Sequence, residues 1–312
     1  MIQSNKGGIS WVRQQLSYEK KYWQLYLLIS LPFLFILIFN YWPIYGIQIA
    51  FKDFDFKKGM FNSPWVGLKY FYQYFNSYQF WPTLRNTLLI SGISIIVGFP
   101  IPIIFAIALN ELKNITYKKI VQTVTYAPYF ISTVVMVGII LQVLDTRTGP
   151  INQMLVAVGL NPVNFMAEPN YFIPIFILSG IWQYTGYSSI IYISALSGVD
   201  QEQQEAAIID GATKLKRIWY IDIPHIIPTS IILLLLSVGT ILNVDFQKIF
   251  LMQNALNLAT SEVLATYVYK MGLRGAQYSF SSAIGLFSSI VSFVLLLAVN
   301  QFSKKATDIS LF

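Results

Sequence analysis

Residues 205–212 read Glu205-Ala206-Ala207-Ile208-Ile209-Asp210-Gly211-Ala212, and Ile221-Asp222-Ile223-Pro224 follows a short basic segment. This stretch is polar, whereas the apolar runs on either side of it end near Leu196 and resume near Ile226. We therefore expect a short charged helix in a loop between two membrane spans. A helix in that position is accessible only to molecules in solution.

The composition of the whole chain indicates an integral membrane protein. Apolar residues make up 55% of the 312 residues and charged residues 11%, which favours lipid over water. There is no cysteine and one histidine, His225, so we expect no disulfide, no metal site and no cofactor in this chain. The net charge of +7 is dispersed among apolar segments, which argues against nucleic acid as a partner.

Six apolar runs are each near the length of about 20 residues that crosses a bilayer. The predicted fold class is therefore all-α, a polytopic membrane protein with six transmembrane helices. The predicted spans are 25–44, 84–109, 120–144, 171–196, 226–247 and 279–300. The predicted organisation is an N-terminal segment 1–24, a first transmembrane helix 25–44, a loop 45–83, a five-helix core 84–300 that includes the loop 197–225, and a tail 301–312.

The distribution of basic residues predicts which side of the membrane each loop occupies. Segments 1–24, 110–119, 197–225 and 301–312 hold 4, 3, 3 and 2 basic residues, which is 12 of the 21 in the chain. These four segments lie on one side if all six spans are real, and the positive-inside rule makes that side cytoplasmic. Both termini and the Glu205 loop are then cytoplasmic, and the loop 45–83 is outside.

Polar and aromatic side chains within the fourth and fifth predicted spans are candidates for a substrate path. Trp182, Gln183, Tyr184 and Tyr187 lie near the middle of the fourth span, and Asn243 and Asp245 near the outer end of the fifth. Polar groups at that depth are costly unless they face a cavity or a partner helix. Aromatic rings and amides suit sugars, whose C–H faces pack on rings and whose hydroxyls need partners. The alternative is that these side chains form hydrogen bonds between helices in a bundle that contains no substrate path.

The spacing Glu-Ala-Ala, three residues, Gly, nine residues, Ile-x-Ile-Pro resembles the EAA loop of permease subunits of ABC transporters. The family pattern ends in I-x-L-P, so Ile223 is a departure from it. The resemblance implies a MetI-like permease bundle in which this loop is a cytoplasmic coupling helix that contacts an ATPase. The residues that match and are expected to couple are Glu205, Ala206, Ala207, Asp210, Gly211, Ala212, Ile221 and Pro224.

Further stretches resemble the sugar-type, LplB-like group of these permeases. They are Ala50-Phe51-Lys52-Asp53, Ser63-Pro64-Trp65-Val66-Gly67-Leu68, Phe80-Trp81, Asn86-Thr87-Leu88, Ala127-Pro128-Tyr129-Phe130-Ile131-Ser132 and Thr148-Gly149-Pro150-Ile151-Asn152. The resemblance implies a bacterial plasma-membrane importer subunit for a carbohydrate, surrounded by membrane lipid. It also implies three kinds of protein partner: a second, homologous permease, two copies of a cytoplasmic ABC ATPase and an extracytoplasmic solute-binding protein.

The chain carries no signature of catalysis of its own. It contains no G-x-x-x-x-G-K-[ST] nucleotide-binding motif, so ATP and Mg²⁺ are expected on the partner ATPases, and the chain is not expected to be an enzyme. A transporter driven by ions would bury ionisable residues at the midplane, where this chain has few. A membrane sensor that relays a ligand signal without transport remains the alternative function.

Overall fold

The computed structural model describes residues 22–311. Residues 1–21 of the predicted N-terminal segment 1–24 therefore lie outside the described residues. Within residues 22–311 the chain is helical and contains no β-strand beyond one isolated bridge between Lys52 and Trp65. The chain divides into two compact units, one up to Gly67 and one from Leu68 onward.

The first unit consists of one long helix followed by a short segment that contains one small helix. Helix α1 spans Tyr22–Phe51, and none of its most apolar 18-residue window is buried within the protein. Its last ten residues, Trp42–Phe51, form a 3₁₀ helix in which Pro43 lacks an N–H. After it, Lys52 is buried and donates hydrogen bonds to the carbonyls of Met60 and Phe61 at 2.8 and 3.2 Å. These bonds hold the short helix α2, Gly59–Asn62, against the end of α1.

The second unit contains the remaining helices. In chain order they are α3 Lys69–Phe75, α4 Phe80–Gly98, α5 Pro100–Asn110, α6 Ile115–Tyr126, α7 Thr133–Val143, α8 Pro150–Ala157, α9 Pro169–Leu196, α10 Gln201–Ile209, α11 Lys214–Arg217, α12 Ile223–Gly239, α13 Phe246–Met252, α14 Leu258–Ser261, α15 Leu264–Tyr269 and α16 Tyr278–Thr307. A 3₁₀ helix at Ala127–Phe130 and π-helices at Ile218–Asp222 and Lys270–Arg274 extend three of them.

In the described part of the chain, residues 22–311, four helices are long and apolar enough to cross a membrane: Tyr22–Phe51, Phe80–Asn110, Lys214–Gly239 and Tyr278–Thr307. A bent pair, Ile115–Phe130 with Thr133–Val143, makes a fifth candidate if it is one span. Helix α9 falls outside this set although it has 28 residues, about 42 Å of helix, because polar side chains lie along it. The count of six spans therefore stays a prediction, while the all-α class is confirmed.

The predicted third span, 120–144, contains a sharp bend. Helices α6 and α7 meet at an angle of 100° around the 3₁₀ turn Ala127–Phe130. Pro128 in that turn has no N–H to continue the α-helical ladder. Ser132 then starts α7 afresh, because its hydroxyl accepts the Val135 N–H at 3.4 Å.

The predicted fifth span, 226–247, is displaced toward the N-terminus. The helix begins at Lys214, passes through the π-turn Ile218–Asp222 and ends at Gly239. Asp245 caps the next helix, α13, by accepting the Lys248 N–H at 3.1 Å. Residues 240–245 are therefore a connection between helices rather than the end of a span.

Helix α9 is the centre of the second unit, and it packs against α4, α5, α6, α12 and α14. Gly186 makes the contact with α6 possible, because a Cβ there would lie 2.1 Å from the Thr125 carbonyl oxygen. Phe172, Phe176 and Ile177 of the same helix belong to the main hydrophobic core. The walls of any path through this unit must therefore be built around α9.

Side-chain amides fasten the connections between helices. Asn86 Nδ2 donates to the carbonyls of Ala259 and Glu262 at 2.9 and 3.1 Å. The Asn152 side chain bonds to Val163 in both directions, at 2.7 and 3.0 Å. Nearby, hydrogen bonds from the N–H and hydroxyl of Thr148 lower the pKa of Asp145. Asn86 and Asn152, both in stretches quoted above for the resemblance, are thus structural anchors.

Candidate functional site

Helix α10 carries the Glu-Ala-Ala stretch and has a defined start and end. Asp200 caps its N-terminus by accepting the Glu202 N–H at 2.9 Å. At its C-terminus, Gly211 has φ +75°, and the N–H groups of Gly211 and Ala212 bond to the carbonyls of Ile208 and Ala207 at 3.0 and 2.9 Å. This is a Schellman motif, which needs a left-handed residue at the glycine position. Gly211 therefore ends the helix for a conformational reason.

One face of α10 is free to meet another protein. The residues exposed there are Glu205, Ala206, Ile208, Ile209 and Asp210, and Ile209 is 85% exposed. An exposed isoleucine beside acidic side chains suits a protein partner better than water. Ala207 and Ala212 are half-buried, as is Ile221, whereas Pro224 is exposed at the start of α12.

The opposite face of α10 is joined to the membrane helix that follows. Gln204 Nε2 donates to Asp222 Oδ1 at 2.8 Å, and Arg217 donates to Gln204 Oε1, also at 2.8 Å. Asp222 is only 2% exposed. The glutamine thus bridges a carboxylate and a guanidinium that both belong to the helix Lys214–Gly239. The sequence alone did not predict that Gln204 and Arg217 join α10 to the next helix. The one signal in the sequence was Asp222, an aspartate at the variable position of Ile-x-Ile-Pro.

A second contact joins this loop to the end of α5. Lys214 Nζ lies 3.7 Å from a carboxylate oxygen of Glu111, the C-cap residue of that helix. The pair is partly exposed, and such pairs contribute at most about 1 kcal/mol. It nevertheless places the loops 111–114 and 210–213 at the same end of the second unit.

A cavity of about 870 Å³ lies within the second unit. Its walls come from α4 and α5, from α9, from α12 and from the segment 240–248, with Tyr129 contributing from the turn after α6. Helices α4 and α5 are interrupted at Phe99, where Pro100 and Pro102 lack N–H donors. Phe99 and Pro102 both line the cavity.

The cavity brings together four of the six predicted path residues. Tyr184, Tyr187, Asn243 and Asp245 line it, and Trp182 and Gln183 are absent from its lining. Trp182 is 53% exposed. Gln183 is buried and donates to the Ile131 carbonyl at 3.2 Å, so it joins α9 to the segment before α7.

Aromatic rings form one wall of the cavity. Tyr129 and Tyr187 are stacked, with centroids 3.7 Å apart and planes 4° from parallel. Tyr184 contacts Tyr129 edge to face at 6.1 Å. Polar lining groups that sequence reasoning missed include Ser94, whose hydroxyl has no hydrogen-bond partner among residues 22–311, and Lys248. Rings beside unsatisfied polar groups can hold a ligand that has both apolar faces and hydroxyls.

Comparisons with known proteins agree with this architecture. The family model described as "Binding-protein-dependent transport system inner membrane component" matches residues 98–308. The chain is 39% identical to Protein LplB of Bacillus subtilis (strain 168) over 98% of this chain and 95% of that one. It is 38% identical to the polygalacturonan/rhamnogalacturonan transport system permease protein YteP of the same organism, over 92% of this chain and 89% of that one.

Solved structures give the same result. The chain superposes with a TM-score of 0.87 and 38% identity on a chain of a bacterial ABC transporter involved in the import of the acidic polysaccharide alginate, covering 94% of this chain and 99% of that one. This likeness confirms the MetI-like fold expected from the Glu205 stretch. The chain belongs to the family of binding-protein-dependent transport system inner membrane components, and it is a membrane-embedded permease subunit of an ABC transporter, not an enzyme.

Proposed function

We propose that this permease imports an oligosaccharide through the 870 Å³ cavity in the plasma membrane of a bacterium. In this proposal an extracytoplasmic binding protein delivers the sugar, and a second, homologous permease completes the path. Two copies of an ABC ATPase, which bind the ATP and Mg²⁺, drive the cycle from the cytoplasm. Similar proteins carry names that include polygalacturonan, rhamnogalacturonan and arabinooligosaccharide transport, which supports a carbohydrate cargo.

The observation that carries the proposal is the stacked pair Tyr129–Tyr187 in a cavity whose wall also holds the unpaired hydroxyl of Ser94 and the polar side chains of Asn243 and Asp245. A sugar ring presents C–H groups on its faces and hydroxyls around its edge. Aromatic rings satisfy the faces, and the serine, amide and carboxylate groups satisfy the edge. A purely apolar cargo would leave the buried Ser94 hydroxyl unpaired, which costs about 1 to 3 kcal/mol.

The orientation of the chain is also part of the proposal. The loop ends at Glu111 and Lys214 lie together, and both belong to segments rich in basic residues. The positive-inside rule then puts the exposed face of α10 in the cytoplasm, where an ATPase can contact Glu205, Ala206 and Ile209. Both termini are on the same side in this arrangement.

The alternative of a membrane sensor receives no support from the relatives, which are named as transport permeases. Purification of the tagged chain from its native membrane decides between the two functions. We expect an ABC ATPase in twofold amount and a second permease to co-purify. We also expect ATP hydrolysis by the complex in lipid vesicles to rise when the binding protein and an oligosaccharide are added, with sugar accumulating inside. Co-purification of a signalling domain without sugar accumulation contradicts the proposal.

A further inference from the structure

We propose that Lys248 makes the cavity selective for oligosaccharides that carry carboxylate groups, that is, chains of uronic acids. This inference rests on the proposed carbohydrate path and names the class of sugar. It is carried by the surroundings of one buried ammonium group.

Lys248 is 1% exposed and lies on α13 at the edge of the cavity. Its Nζ donates to the Phe176 carbonyl at 3.3 Å and lies 4.9 Å from the centroid of the Phe176 ring. Gly180, one turn further along α9, lies beside the group, since a Cβ built there would be in van der Waals contact with Nζ at 3.6 Å. The ammonium is thus held against α9 by a carbonyl and a ring face.

Within residues 22–311, no carboxylate lies within 4.0 Å of this ammonium, whereas Lys214 pairs with Glu111 and Lys270 with Glu262. The nearby Asp245 carboxylate does not pair with Nζ; it accepts the backbone N–H of Lys248 and so caps α13. An ammonium has three N–H donors, and one is accounted for here. Two donors remain for a ligand in the cavity.

The Asp245 carboxylate acts on this ammonium only through space. A buried ammonium without a directly paired carboxylate is costly, and a ligand that supplies one recovers part of that cost. Hydrogen bonds between charged groups are about twice as strong as those between neutral groups. A uronic acid differs from a neutral hexose by one carboxylate on the same ring. It can therefore keep its ring faces on Tyr129 and Tyr187 and its hydroxyls near Asn243 or Ser94 while its carboxylate pairs with Lys248.

A neutral sugar offers Lys248 a hydroxyl only. A carboxylate also offsets the charge of the ammonium, and its hydrogen bond is stronger than that of a hydroxyl. We therefore expect the complete transporter to carry acidic oligosaccharides about ten- to a hundredfold better than their neutral counterparts. The same difference is expected between a variant that keeps the positive charge and one that removes it.

The test uses uronate oligosaccharides of two to four residues and the same molecules with every carboxylate methyl-esterified. Uptake is measured in vesicles that contain the assembled transporter and its binding protein. The variants are Lys248→Met, which keeps length and apolar volume, and Lys248→Arg, which keeps the charge. Assembly is measured separately, by co-purification of the ATPase with each variant.

We expect Lys248→Met to lose at least tenfold in uptake of the acidic oligosaccharide with unchanged assembly, and Lys248→Arg to retain most of it. Equal uptake by wild type and Lys248→Met overturns the inference. Failure of Lys248→Met to assemble also overturns it, because the lysine is then a support for α9. Transport of only neutral oligosaccharides by the wild type overturns the inference and leaves the proposed function standing, whereas transport of no oligosaccharide overturns the proposed function itself.

Discussion

Gln204 and Asp222 are 18 residues apart in sequence and 2.8 Å apart in the structure, from Nε2 to Oδ1. The bond joins the helix that carries the Glu-Ala-Ala stretch to the base of the helix Lys214–Gly239, which is long and apolar enough to cross a membrane. We therefore expect a displacement of α10 by a partner to be transmitted through this side chain to a helix that lines the cavity. The face of α10 that is exposed to a partner, with Glu205 and Ile209, differs from the face that contacts the next helix through Gln204.

The first prediction concerns this bond. Gln204→Ala leaves Asp222 buried without its partner, at a cost of about 1 to 3 kcal/mol, and removes an acceptor from Arg217. We expect the variant to keep membrane insertion and ATPase binding but to hydrolyse more ATP per sugar transported. The matched control is Gln203→Ala, on the exposed side of the same helix. A Gln204→Ala transporter with the wild-type ratio of ATP to sugar contradicts the prediction.

The second prediction separates two requirements at Gly211. Its φ of +75° disfavours most side chains, and asparagine tolerates that conformation best. Among the described residues other than its two chain neighbours, no atom lies within 4 Å of a Cβ built at this position. Gly211→Leu should cost about 1 to 2 kcal/mol and weaken ATPase binding. Gly211→Asn should cost less.

The ATPase content of the purified Gly211 complexes then shows which requirement dominates. If Gly211→Asn binds the ATPase as wild type does, the glycine is required for the left-handed backbone conformation that ends α10. If Gly211→Asn folds normally and fails to bind, the partner occupies the space beside it. Equal behaviour of Gly211→Leu and wild type is incompatible with both requirements.

The third prediction concerns the aromatic wall of the cavity. Tyr187→Ala removes one ring of the stacked pair with Tyr129, and we expect uptake at limiting sugar to fall roughly two- to tenfold, as expected for an aromatic contact worth about 0.5 to 1.5 kcal/mol. Trp182→Ala, on the same helix but outside the cavity lining, is the control and should transport normally. The opposite result, with Trp182→Ala impaired and Tyr187→Ala unaffected, would move the path to another face of α9.

The fourth prediction concerns topology. Reporter fusions after Gly198 and after Lys304 should report the cytoplasm, and a fusion after Gly159 should report the outside, because the basic residues concentrate near the first two sites. Reports from opposite sides at Gly198 and Lys304 would remove α10 from reach of a cytoplasmic ATPase.

The helix at Glu205 was predictable from sequence because its evidence is local. A polar helix with a cap at Asp200 and a glycine at its end is specified by residues within one short stretch. The bond from Gln204 to Asp222 was not predictable, since it depends on which face of α10 turns toward the following helix. No periodicity in nine residues of low apolar content indicates that face.

Hydrophobicity alone did not predict the bend within the third span. Residues 120–144 are apolar throughout most of their length, but Pro128 and Ser132 turn the chain by 100° between α6 and α7. A proline followed four residues later by a serine that can cap a helix was the available signal.

Within α9, helical spacing also contained more information than composition. Tyr184 and Tyr187 are three residues apart and share a face, whereas Trp182 is two residues from Tyr184 and points elsewhere.

The contact between Gly186 and the Thr125 carbonyl has a mechanical consequence. Two backbones that touch without intervening side chains have nothing to repack, so α6 and α9 cannot slide past each other without a collision. We therefore expect α6 and α9 to move as one rigid unit that carries Tyr129 and Tyr187 together. Any widening or narrowing of the cavity during a transport cycle is then expected from its other walls, α4, α5 and α12, while the aromatic wall keeps its shape.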